Sequence, residues 1–134
     1  NLSTFIFRSA KNSNTIIFHY LSNKLKEKTL KKKGIILIKT KLDDKKKLDL
    51  KIILKKLFSM GIKNLLVEGG DKITKKMLKN KLINQFYMFK SPKKLPKDRK
   101  HVIFTSKNIL NSDYKIRSKI GSKLAKDTIT IYKR

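Results

Sequence analysis

GIKNLLVEGGDKITKKMLKNKLINQFYMFKSP, residues 61–92, is the stretch whose reading decides the fold. Ahead of it Leu50, Ile53, Leu54, Leu57 and Phe58 recur at i, i+3, i+4, i+7 and i+8, with Lys51, Lys55 and Lys56 between them. That rhythm puts one apolar face on a helix over residues 48–60. Gly61 stands where a glycine in the left-handed conformation commonly ends a helix. Residues 63–67 then form a short apolar run read as a strand, which passes directly into Glu68, Gly69, Gly70 and Asp71. A second helix is expected over residues 72–80, with Ile73 and Met77 on one face and Leu78 beside them. Residues 85–89, Gln-Phe-Tyr-Met-Phe, read as a strand that stops at Ser91 and Pro92.

Outward from this stretch the same alternation continues. Residues 15–20 and 35–38 are β-branched and aromatic runs read as buried strands. Residues 21–32 are a Lys-rich helix, with Leu21, Leu25 and Leu30 as its apolar positions and Gly34 as its stop. Asp43 and Asp44 mark a solvated turn. Strand–helix alternation of this kind builds an α/β sheet with mainly parallel strands. Past Pro92 the character changes. Residues 93–100 are a basic loop, and residues 101–104, 114–120 and 128–132 read as strands without helices between them. These C-terminal strands are expected to form an antiparallel hairpin or meander at the sheet edge. The length of 134 residues suits one domain or part of one.

Composition excludes several classes. There is no Cys, and His19 and His101 are the sole histidines, so no disulfide framework, thiolate site or His-rich metal cage is available. No apolar run approaches the roughly 20 residues needed to cross a bilayer, and a cytoplasmic protein is expected. The net charge of +27 first points to nucleic acid. Yet 32 of the 36 basic residues are Lys and only 4 are Arg, the side chain that bidentate base and phosphate contacts use most. Residues with A/T-rich codons (Phe, Tyr, Met, Ile, Asn, Lys) make up 72 of the 134, which reads as coding bias with Lys at solvated positions. A basic nucleic-acid-binding module stays as the alternative function. Phe86, Tyr87 and Phe89 read as strand and core packing rather than a base-stacking platform.

The Glu-Gly-Gly turn carries the chemistry. The first N–H groups of a helix lack intrahelical partners and carry partial positive charge. Glycines just before them let a phosphate approach the backbone closely. The pattern is neither GxGxxG nor GxxxxGKS/T, so by itself it more often marks a tight turn than a phosphate cradle. Asp71 reads as an N-cap accepting from the N–H of Ile73 or Thr74. His19, with Ser22 or Lys24 nearby, could face a phosphate, but a satisfied or exposed imidazole is the simpler reading.

In longer context, Gly61-Ile62, Leu66-Val67-Glu68-Gly69-Gly70, Leu82-Ile83-Asn84 and Ser91-Pro92 fall in an order that resembles the reductase domain of the bifunctional riboflavin biosynthesis deaminase-reductase. The resemblance is collinear on both sides, through residues 15–18 and 127–134. It implies a three-layer fold similar to dihydrofolate reductase, a mainly parallel central sheet flanked by helices. Residues 1–134 would be the C-terminal portion of that domain. The upstream substrate and nicotinamide motifs, and a deaminase domain, would precede Asn1.

The resemblance also implies an activity: NADPH-dependent reduction of the ribosyl group of 5-amino-6-(5-phosphoribosylamino)uracil. A reductase of the same fold acting on another pterin or pyrimidine is the second alternative. Matched residue by residue, Gly69, Gly70, Asp71, Lys72, Ile73, Thr74, Lys75 and Lys76 would hold the NADPH diphosphate. Glu68 would face the substrate, and a cis peptide would join Gly69 to Gly70. No catalytic acid or base and no metal ligand is implied within this stretch; a homo-oligomer is left open. The chain departs from the family at Asn84, where Asp is usual, at Lys81, where Gly is frequent, and at Lys93-Lys94-Leu95-Pro96, which replaces a Leu-Gly continuation.

Overall fold

A computed structural model describes residues 5–12, 14–93, 103–121 and 126–134. The chain divides into two compact units, Asn1–Leu65 and Leu66–Arg134. Each has its own sheet.

The first unit contains α1 (Phe5–Ser9), β1 (Ile16–His19), α2 (Lys24–Lys32), β2 (Ile36–Lys39) and α3 (Leu50–Ser59). β1 and β2 pair in parallel, from Ile16 opposite Ile36 to His19 opposite Lys39. Parallel neighbours need a crossover, and α2 provides it. Its start is fixed locally: Asn23 Oδ1 accepts from the Lys26 N–H at 3.0 Å, and the Asn23 N–H donates to Glu27 Oε1 at 3.2 Å. α3 is capped by Asp49, whose Oδ1 accepts from the N–H groups of Lys51 and Ile52. Its expected stripe is narrower than the spacing implies. Leu57 is buried and Leu50, Ile53 and Leu54 are partly so, while Phe58 is 68% exposed. The Asp43 turn is anchored by its own carboxylate, which accepts from the N–H groups of Lys45 and Lys47.

Helix ends follow one rule. Gly61 (φ 86°) ends α3: its N–H donates to Phe58 O and the next N–H, of Ile62, to Leu57 O. This is the paired bonding of a Schellman cap. Gly34 (φ 79°) ends α2 in the same way.

The second unit contains α4 (Asp71–Lys79), β3 (Gln85–Lys90), α5 (Lys107–Asp113), β4 (Ile116–Gly121) and β5 (Thr128–Lys133). The sheet order is β3-β5-β4, with both pairings antiparallel. One face packs on the helices around Leu78, Leu110, Tyr114 and Tyr132, with Ile83, Phe86, Met88 and Ile109 against them. Tyr114 is fully buried and its hydroxyl donates to Ile83 O at 2.8 Å. Phe86 stacks on Phe104 with ring centroids 5.7 Å apart and meets Tyr132 edge-on.

Four expectations change. Among the described residues the parallel part is one strand pair, and the larger sheet is antiparallel throughout. Residues 62–70 form no strand, and Leu66 is 80% exposed. In sequence they span the division between the two units, and they make no ladder pairing among the described residues. Of residues 101–104, the first two lie outside the described residues and the others are irregular; a helix, α5, follows them instead. Leu110 and Tyr114, one helical turn apart, are the residues it buries. Last, Phe86 is core packing as expected, but Tyr87 and Phe89 project from the opposite face and are 48% and 66% exposed.

Candidate functional site

Gly70 is the N-cap of α4, with φ −70° and ψ 168°, and no side chain caps this helix. Its carbonyl accepts from the N–H groups of Ile73 and Thr74 at 3.2 and 3.3 Å. The N–H groups of Asp71 and Lys72 have no hydrogen-bond partner among the described residues. They form a pair of donors at the positive end of a nine-residue helix.

The two glycines serve different ends. A Cβ at Gly69 would lie 2.5 Å from Ile73 Cγ2, so any side chain there would force Ile73 of the following helix to shift. A Cβ at Gly70 would meet nothing within 4 Å, and its φ is one that any residue adopts. Neither backbone conformation nor internal packing calls for glycine at position 70. Gly70 is exposed, and the amides of Asp71 and Lys72 follow it directly in the chain. The peptide between the two glycines is trans, because the chain has no cis peptide among its described residues. The expected cis bond is therefore absent; residues 62–70 run without a ladder and demand no reversed peptide there.

Asp71 does not act as the expected N-cap. It is the first residue of α4, so its own amide and side chain sit one position too late for that role. Its carboxylate turns to Thr105. Oδ1 accepts from the Thr105 N–H at 3.1 Å, and Oδ2 accepts from Thr105 Oγ1 at 2.8 Å. Lys75 Nζ donates to that same hydroxyl at 3.2 Å. These bonds, led by the Thr105 amide and then its hydroxyl, hold the Asp71 carboxyl below the usual carboxylate range; slight burial opposes them and Lys75 assists. The carboxylate is thus ionised at neutral pH.

Around the turn, Lys72 and Ile73 are exposed, while Thr74, Lys75 and Lys76 are half-buried along the helix. Glu68 is exposed and makes no hydrogen bond among the described residues. The structure therefore gathers Gly69, Gly70, Asp71 and Lys72 at one helix start, with Lys75 one turn on. It adds Thr105, 34 residues away, which sequence reasoning missed. Thr105-Ser106 ahead of Ile109 and Leu110 has the look of a helix start, but nothing in the sequence ties it to Asp71.

Elsewhere, His19 is satisfied locally: its Nδ1 bonds to Leu21 O at 2.9 Å. Lys24, Lys28, Lys31 and Lys32 line a shallow, open depression on α2 together with Glu27, the form expected of a solvated helix face. No group of three or more His, Asp or Glu side chains that could hold a metal occurs among the described residues. Nor is any described helix long and apolar enough to cross a membrane.

A glycine-opened helix start whose Asp71 and Lys72 amides have no partner among the described residues presents donors of the kind that a phosphate group can accept from. More particularly, the chain belongs to the RibD C-terminal domain family, whose sequence pattern matches residues 1–130. That family is the reductase domain of riboflavin biosynthesis, an oxidoreductase acting on a small pyrimidine. No curated protein matches the chain.

Proposed function

We propose that the chain is the cofactor-gripping part of an NADPH-dependent reductase that converts 5-amino-6-(5-phosphoribosylamino)uracil to its ribitylamino product. The observation that carries this reading is Gly70, a glycine that the chain's own packing does not need. It stands before two amides without a partner among the described residues, in a chain that matches the reductase family over residues 1–130.

The residues fit the cofactor's diphosphate. The N–H groups of Asp71 and Lys72 would donate to phosphate oxygens, and the Lys72 ammonium would supply a cation beside them. Gly69 and Gly70 leave the approach clear. Ile73, Thr74, Lys75 and Lys76 hold the helix whose dipole faces the anion. Glu68, exposed next to the turn, would face the substrate. When bound, NADPH would supply the hydride for reduction of the ribosyl group, with the accompanying proton taken from solvent. The chain's part is to bind and orient. A dihydrofolate-reductase-like domain in a cytoplasmic enzyme, with a deaminase domain on the same polypeptide, goes with this reading.

The direct test supplies NADPH and the phosphoribosylamino-pyrimidine to the full-length protein. Substrate-dependent oxidation of NADPH, with the ribitylamino product formed in equal amount, is expected. NADPH oxidation with neither substrate dependence nor product would overturn the assignment, as would failure to bind NADPH at all.

A further inference from the structure

We propose that Thr105 is a positioning residue for the phosphate grip: by engaging both carboxylate oxygens of Asp71, it keeps that carboxylate off the amides at the start of α4. The proposal rests on reading the turn as a dinucleotide grip.

Asp71 occupies an awkward place for such a grip. A carboxylate in the first turn of a helix is attracted to the same N–H groups that a phosphate would use. Left free, it would compete as an acceptor and repel the ligand by charge. In the structure it does not compete, because each oxygen already has a donor on Thr105, the amide to Oδ1 and the hydroxyl to Oδ2. The direction of the second bond is forced. An ammonium can only donate, so Lys75 Nζ makes Thr105 Oγ1 an acceptor on one side. The single hydroxyl proton is then available for Asp71. The Asp71 and Lys72 amides, like the first N–H groups of any helix, have no intrahelical partner, and they have none among the other described residues.

Valine at position 105 matches threonine in shape. It keeps the amide bond to Oδ1 and deletes both hydroxyl bonds, leaving Oδ2 without a donor. Thr105 is exposed, so the substitution removes no core packing.

The test measures NADPH affinity by calorimetry in the full-length protein and in Thr105→Val, Thr105→Ser, Asp71→Ala and the double variant Asp71→Ala/Thr105→Val. Loss of a hydrogen bond to a charged group corresponds to about a tenfold change, so Thr105→Val is expected to bind about tenfold more weakly. Thr105→Ser, which keeps both bonds, should stay within about twofold. In the Asp71→Ala background the Thr105→Val effect should vanish, because the competitor is gone. A second readout needs no ligand: in Thr105→Val the amide of Lys72 should gain protection from hydrogen exchange as the released carboxylate reaches it. Should Thr105→Val not fold, Thr105→Ala carries the same expectations.

Wild-type affinity in Thr105→Val, or the same weakening with Asp71 already removed, would overturn the role of Thr105 while leaving the grip intact. Unchanged exchange at Lys72 would overturn it too. Failure of the unsubstituted protein to bind NADPH would overturn the functional reading itself, and this inference with it.

Discussion

Replacing Gly70 by valine separates binding from folding more cleanly than any other change in this chain. A Cβ at position 70 meets no atom of the described residues within 4 Å, and φ −70° with ψ 168° is comfortable for a β-branched residue. The stability cost is therefore limited to a poorer N-cap, about 1 kcal/mol or less. The cost to binding is larger, because the isopropyl group stands in the approach to the Asp71 and Lys72 amides. Each N–H bond to a charged phosphate contributes about 1.5–3 kcal/mol. Losing both weakens NADPH binding by roughly 10²–10⁴-fold. Gly69→Ala reverses the pattern. Its Cβ lies 2.5 Å from Ile73 Cγ2. Ile73 is 41% exposed and can turn aside, at about 0.5–1.5 kcal/mol for an off-rotamer side chain. Stability falls by about that much, and affinity changes only as far as the first turn shifts. Lys31→Ala, on α2, should alter neither. Calorimetric NADPH titration and urea unfolding of each variant in the full-length protein make the comparison. A folded Gly70→Val protein with wild-type NADPH affinity would refute the reasoning.

Two further outcomes follow from the second unit. Lys81 takes the left-handed conformation (φ 55°) at the end of α4, donating to Leu78 O as Gly34 and Gly61 donate at their own helix ends. A side chain costs about 1–2 kcal/mol in that conformation, and glycine's extra freedom when unfolded returns part of it. Lys81→Gly should raise the urea midpoint by about 0.5–1 kcal/mol equivalent, without changing NADPH affinity; a lowered midpoint would show that the Lys81 conformation is not strained. Tyr114→Phe removes the bond to Ile83 O, and about 1 kcal/mol of stability should go with it at neutral pH. Burial raises the Tyr114 phenol above its ordinary 10.0, with Arg134 opposing and Asp113 assisting. The neutral phenol therefore stabilises the fold below that pH, and its contribution is lost as pH rises through the raised value. The gap between wild type and Tyr114→Phe should shrink in alkaline urea titrations, and a gap constant with pH would contradict this account.

Features that depend on a few neighbouring residues were legible in the sequence. The stripe on α3, the stops at Gly34 and Gly61 and the Glu-Gly-Gly turn are governed by side-chain spacing and by hydrogen bonds within one helical turn, so local chemistry fixes them. The stretch 61–92 also carried the family, and the match over residues 1–130 agrees with it. Pairing across long separations was not legible. Residues 63–67 have strand composition but no ladder partner among the described residues, and β5 lies between β3 and β4 rather than at the edge of the sheet. Tyr87 and Phe89 face away from the core because register alternates faces along β3. Asp71 shows the division most plainly. Its position before an apolar helix marks it as a cap, yet its carboxylate went to Thr105, 34 residues further along. A local rule names the donors an acceptor could reach within its own turn. Only the folded chain decides which other donors arrive beside it.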